Sequence, residues 1–192
     1  HRIVTERTRF AMPETGIGFF PDVGASWFLT RQPGEFGTYV ALTGEQLAAG
    51  DVIALGLADS HVPSERLPAL AEALAGLPAS ATRADVSAAI AAFAEPPAAA
   101  GVAAQRPLID RLFAFDTVED IFAALERDGS EFAERALGIL RTKSPLSLKV
   151  TLRLLRLGRK ETSLEACLER EFAATAAVLR STQGVAQCFD VQ

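Results

Sequence analysis

Met12-Pro13-Glu14-Thr15-Gly16-Ile17-Gly18-Phe19-Phe20-Pro21-Asp22-Val23-Gly24-Ala25-Ser26-Trp27-Phe28 packs three glycines, two prolines and two carboxylates into seventeen residues, around a dense apolar run. No later stretch combines backbone punctuation and acid groups so tightly. Pro13 drives Met12 to extended geometry and ends a strand-like segment. Gly16 and Gly18 admit backbone conformations that other residues avoid. Pro21 suits the first turn of a helix running through Leu29, with Asp22 beside it. This strip is the candidate active site, and the rest of the chain is read outward from it.

Upstream, residues 2–5 and 8–11 carry β-branched and aromatic residues among charges, which predicts two short strands broken near Glu6-Arg7. The chain opens at His1, and Arg2-Ile3-Val4-Thr5-Glu6 reads as the interior of a strand, so a segment before His1 is expected. Downstream, Pro33-Gly34 breaks the first helix. Phe36, Val40 and Thr43 share one face of a short helix that Gly44 closes. Gln46 to Leu57 predicts a helix or two with an interruption at Gly50, and residues 58–62 a short strand stopped by Pro63.

Beyond Pro63 the period becomes helical. Leu67, Leu70, Leu74 and Leu77 form an apolar stripe, and Val86, Ile90 and Phe93 repeat the spacing. Residues 95–101, rich in alanine and proline, form a loop. Ile109/Leu112/Phe113, Ile121/Phe122/Leu125 and Phe132/Ala136/Leu140 are each helical in step. Pro145 opens a helix capped by Ser144, with Leu148, Leu152 and Leu155 inward. Leu164, Leu168, Phe172, Thr175 and Leu179 line one face of a long final helix. The expected organisation is an α/β portion over residues 1–62, then a mainly α-helical region over 63–192.

Composition narrows the function classes. The 192 residues are 49% hydrophobic, enough for a good core, and the formal net charge is −5. A negative balance disfavours a generic nucleic-acid binder. Two cysteines, Cys167 and Cys188, make no disulfide framework or zinc motif and read as small buried hydrophobes. A reducing, cytoplasmic compartment is the expectation. No apolar run reaches the roughly 18 residues of a membrane span, and no signal peptide opens the chain, so no membrane partner is expected.

Each candidate residue has an ordinary explanation beside the chemical one. Glu14, after a proline at a strand-to-loop junction, reads most simply as an exposed turn carboxylate. Chemically, Met12, Ile17, Phe19 and Phe20 supply an apolar setting that raises a carboxyl pKa toward that of a usable acid or base. Asp22 in a first helical turn stabilises the helix dipole with no further role. Paired with Glu14 across a glycine-bearing loop, it would push the two pKa values apart and set up distinct roles. Lys149, Arg153, Arg156 and Lys160 form a basic stripe, read as a solvated face paired with Glu161, Glu165 or Glu169. His61 lies in an apolar strand without a nucleophile motif and is read as structural.

Phe10-Ala11-Met12-Pro13-Glu14-Thr15-Gly16-Ile17-Gly18-Phe19-Phe20-Pro21-Asp22-Val23-Gly24 resembles the signature of the 3-hydroxyisobutyryl-CoA hydrolase family within the crotonase (enoyl-CoA hydratase/isomerase) superfamily. Ala41-Leu42-Thr43-Gly44, residues 56–63 and residues 143–152 resemble it too. The likeness covers nearly the whole chain and weakens in the Ala/Pro-rich middle and at the tail. It implies a spiral of ββα units, here its later part, followed by helices.

The resemblance further implies hydrolysis of a short 3-hydroxyacyl-CoA thioester held against an oxyanion hole, a step of valine catabolism. Glu14 falls on the superfamily's acid/base glutamate, and Asp22 on the aspartate that marks the hydrolases. Both are the expected catalytic and substrate-binding residues. No separate cofactor is implied, because CoA is part of the substrate. The implied partners are that acyl-CoA and the preceding part of the same polypeptide, which would supply the glycine-rich oxyanion loop; homo-oligomerisation stays open. Two departures stand out: Ala25-Ser26-Trp27 where the family often has further glycines, and Gln183-Gly184-Val185 where it tends to place an acid before Gly-Val. Two alternatives remain, a hydratase or isomerase of the same superfamily and a catalytically inert CoA-binding or assembly module.

Overall fold

A computed structural model of the chain describes residues 1–98 and 101–180. In chain order the elements are β1 (Ile3–Val4), a 3-10 turn (Glu14–Ile17), α1 (Ala25–Phe28), α2 (Phe36–Thr43), α3 (Ala49–Ala54), β2 (Ser60–His61), α4 (Leu67–Ala75), α5 (Arg83–Ala91), α6 (Arg106–Leu112), α7 (Val118–Asp128), α8 (Glu131–Arg141), α9 (Pro145–Gly158) and α10 (Leu164–Arg180). Short 3-10 turns precede α4 and α6. These elements gather into two compact units, the first made of His1–Phe10 and Leu47–Ala104, the second of Ala11–Gln46 and the described residues from Gln105 onward.

In the first unit, β1 and β2 pair in parallel, Ile3 opposite Ser60 and Val4 opposite His61. Of the second expected strand only Phe10 pairs, in an isolated antiparallel bridge to Leu47. The helix α3 begins at Ala49, so Gly50 lies in its first turn rather than interrupting a helix from Gln46. Val62, Leu70 and Ile90 form the buried centre, with Ile3, Leu74, Val86 and Phe93 packed around it. The α4 and α5 stripes therefore meet over the small parallel ladder. A reciprocal capping box of Thr82 and Asp85 starts α5. His61 is half-buried, with Nδ1 3.3 Å from the Glu95 carbonyl.

The second unit is built around α2. All eight of its residues are buried, the Thr38 hydroxyl donating to Glu35 and the Thr43 hydroxyl to the Tyr39 carbonyl. Gly44 ends it at φ 68°, its N–H bonded to the Val40 carbonyl. Tyr39 meets Phe113 edge-on and tilts against Phe132. The helices α7 and α8 bury Ile121, Leu125, Phe132, Ala136 and Leu140 in the expected step. Ser144 caps α9 by accepting the Ser147 N–H, and Leu148, Leu152 and Leu155 turn inward.

Three expectations are overturned in this unit. The helix predicted from Pro21 begins only at Ala25, because Asp22-Val23-Gly24 forms a turn with Val23 at φ 51° and Gly24 at φ 90°. The basic stripe on α9 is not one solvated face. Arg156 turns inward to pair with Glu35 at 2.9 Å and Asp116 at 3.1 Å, while Lys149 pairs with Glu119 at 2.5 Å. The apolar stripe on α10 faces outward: Phe172 is 76% exposed, whereas Cys167, Glu171 and Val178 are buried. Cys188 and the Gln183-Gly184-Val185 departure lie outside the described residues. No described helix is long and apolar enough to cross a membrane.

Candidate active site

The strip forms from its anchors outward. Thr15, fully buried, donates its hydroxyl to the Leu42 carbonyl at 3.1 Å, and its own carbonyl accepts the Ser144 N–H at 3.2 Å. The 3-10 turn is thereby pinned between the end of α2 and the start of α9. Gly18, at φ 77°, returns its N–H to the Glu14 carbonyl and stops the turn. Phe19 and Phe20 stack with centroids 4.4 Å apart and pack against Val150 and Leu154 of α9 and Ala174 and Val178 of α10. Residues 12–21 thus form a strap fixed at several points, with Glu14 on it.

Glu14 is half-buried, and its Oε2 is shut off from solvent with no hydrogen-bond partner. Burial pushes its carboxyl above the ordinary range; a bond from its own backbone N–H partly opposes this, and the Asp22 charge adds to the rise. A buried carboxylate oxygen left unbonded is costly, and such groups concentrate where a reaction uses them. The ordinary reading of Glu14 as an exposed turn residue therefore fails. Two residues on, the Lys143 ammonium stands 3.4 Å from where a Cβ on Gly16 would be.

Asp22 is also half-buried and opens the left-handed turn, its carbonyl accepting the Ala25 N–H at 2.9 Å. It is not a residue of α1, so the helix-dipole reading does not apply to it. Val23 follows at 72% exposure and φ 51°, a conformation that a β-branched residue adopts only under constraint. Exposed Ile17 flanks the same strip. The geometry thus presents Glu14 on a pinned strap, with the Asp22 charge acting on it and exposed Ile17 and Val23 nearby in the chain.

The sequence reading missed Glu171. From α10 its carboxylate accepts the Gly24 N–H at 2.7 Å, the Ser26 N–H at 2.9 Å and the Ser26 hydroxyl at 2.5 Å. A signal was present: Cys167, Glu171, Ala174 and Val178 keep helical step, which places an acid on an otherwise apolar face.

The family model described as Enoyl-CoA hydratase/isomerase matches residues 1–188. The chain belongs to the enoyl-CoA hydratase/isomerase family. Among curated relatives, 3-hydroxyisobutyryl-CoA hydrolase 1 of Arabidopsis thaliana is 43% identical over 185 residues, covering 93% of this chain and 48% of that protein. The small ribosomal subunit protein mS47 of the same plant is 38% identical, covering 89% of this chain and 43% of its own length. A crystal structure of a carnitinyl-CoA dehydratase from Mycobacterium thermoresistibile superposes with TM-score 0.87 at 40% identity, over 97% of this chain and 53% of that one. The expected crotonase-like architecture, its later part followed by helices, is thereby found. The chain spans about half the length of the curated relatives it matches.

Proposed function

We propose that the polypeptide carrying this chain hydrolyses a short 3-hydroxyacyl-CoA thioester, 3-hydroxyisobutyryl-CoA foremost, to the free acid and CoA. The observation that carries this reading is the Glu14 carboxylate, half-buried, unbonded at Oε2 and raised by burial and by the Asp22 charge. A carboxylate raised in this way is poised to attack a thioester carbonyl or to take a proton from water. In the first route the C–O bond to Glu14 forms, the C–S bond breaks, the thiolate takes a proton and water then cleaves the mixed anhydride. In the second, Glu14 removes a proton from water as the water oxygen bonds to the carbonyl carbon, the C–S bond breaks, and that proton passes on to the departing sulfur. In both, Asp22 orients the reacting oxygen and relays a proton to the departing sulfur, the hydrolytic water supplying that proton or replacing it. CoA enters and leaves as part of the substrate, with no separate cofactor.

Thiol release from 3-hydroxyisobutyryl-CoA by the complete polypeptide tests this. Glu14→Gln is expected to lower kcat by at least about 100-fold, the usual contribution of a positioned acid or base, and Asp22→Asn to lower it as well. Unchanged turnover in both variants overturns the reading. Hydration of crotonyl-CoA without thiol release points instead to a hydratase. A second reading, an inert assembly module, is favoured by the ribosomal protein among the relatives. CoA binding without turnover of any acyl-CoA would support it.

A further inference from the structure

The loop that presents Asp22 is held in an unfavourable conformation, and the group that holds it lies on a distant part of the chain. Glu171 is only 2% exposed. Among the described residues its three hydrogen-bond donors all come from Gly24 and Ser26, two and four positions after Asp22. Both carboxylate oxygens are used, one for Gly24 and one for Ser26, so the group fixes the direction of the loop as well as its place. Between the gripped residues and Asp22 stands Val23 in the left-handed region. Left to itself a valine would relax to negative φ and swing Asp22 with it.

We propose that Glu171 is a positioning residue for the Glu14/Asp22 pair: by gripping residues 24 and 26 it holds Val23 left-handed and keeps the Asp22 carboxylate turned toward Glu14. This rests on the hydrolytic reading above. It also has a consequence that is independent of turnover, since Asp22 loses its influence on Glu14 when the grip is released. Glu171→Gln also removes a charge of its own; its effect in an Asp22→Asn background gives that direct contribution, and any excess shift at Glu14 in the parent reports Asp22.

The test uses Glu171→Gln in the complete polypeptide, a near-isosteric change that leaves one acceptor and turns an amide donor toward a backbone N–H. The expected result is a kcat lower by about 10- to 100-fold, the range for misplaced reacting groups, with KM within about threefold. Adding Val23→Gly should recover much of that loss, because glycine adopts positive φ without strain. The Glu14 carboxyl, followed by carbon-13 NMR titration, should move to lower pKa in Glu171→Gln. A merely structural role lowers the folded fraction and predicts neither the rescue nor the titration shift. Wild-type kinetics together with an unmoved Glu14 titration overturn the inference. A wild-type protein that releases no thiol, yet whose Glu14 titration shifts in Glu171→Gln, overturns the hydrolytic reading and leaves the positioning role standing.

Discussion

At the scale of single residues the site combines a cost with a use. Glu14 is held ionisable where burial disfavours its charge, so folding binds a proton more tightly than the unfolded chain does. Between the ordinary carboxyl pKa, about 4.3, and the raised native one, the native state carries more protons, and stability falls as pH rises through that window. Glu14→Gln removes the penalty. The variant should unfold at a higher temperature than wild type at pH 7, and the gain should vanish below about pH 4. Thermal scans at both pH values check this; an equal gain at pH 4, or none at pH 7, contradicts it. The apolar setting of Glu14 was legible in the sequence, because Met12, Ile17, Phe19 and Phe20 surround it. The strain at Val23 was not, since nothing in a valine codes for positive φ; the constraint comes from Glu171, far along the chain.

At the scale of elements, legibility followed the strength of the apolar period. The helices α2, α7, α8 and α9 stand near where their spacing put them, because one face of each is apolar and buried. The helix α10 misleads because Leu164, Leu168, Phe172 and Leu179 keep helical step while its packed face is interrupted by Glu171. Close approach of backbones is a second feature that periodicity does not carry. A Cβ on Gly158, the last residue of α9, would stand 2.2 Å from the Ser26 carbonyl oxygen, so α9 can lie against the segment that follows Asp22 only because this residue is glycine. Arg31 reinforces the contact, donating to the Gly158 carbonyl at 2.6 Å. Gly158→Ala should force the two segments apart and destabilise the second unit by about 1–3 kcal/mol, the usual penalty of overpacking. Because it displaces Ser26, it should also lower kcat. Gly129→Ala is the contrasting variant, with nothing within 4 Å of its Cβ position; its strain is confined to φ 61° in the α7–α8 turn, so it should leave turnover unchanged. Urea unfolding and thiol-release kinetics on both variants separate the two effects.

At the scale of the whole molecule, the charge balance of −5 hides carboxylates shifted in opposite directions. Against Glu14 stand several held low. Glu6 is drawn to about 2 by the Ser64 hydroxyl and N–H, and Asp59 to about 2 by Arg2. Glu35 is the buried case: desolvation alone would raise it, but bonds from Arg159 and Thr38 and the charge and bond of Arg156 outweigh that and leave it low. A depressed carboxyl contributes stability that is present above its unfolded pKa and lost as pH falls through the native one. Exposed pairs such as Arg2–Asp59 are worth little and are screened by salt, whereas Glu35 between Arg156 and Arg159 is shielded. The protein contains one tryptophan, Trp27, and it lies in the same compact unit as Glu35, so its fluorescence reads the unit that this network supports. Glu35→Gln strands part of two guanidinium charges. It should lower the urea stability reported by Trp27 by about 3 kcal/mol at pH 6, as breaking a buried ion pair does. As pH falls below the ordinary carboxyl pKa, about 4.3, the unfolded chain takes up the Glu35 proton before the native state does, so the gap between the two proteins should narrow, and salt should change it little. A gap that stays constant from pH 6 to pH 3 would show that Arg156 is held by the Phe113 and Phe115 carbonyls, and Arg159 by the Gly34 carbonyl, rather than by the Glu35 charge.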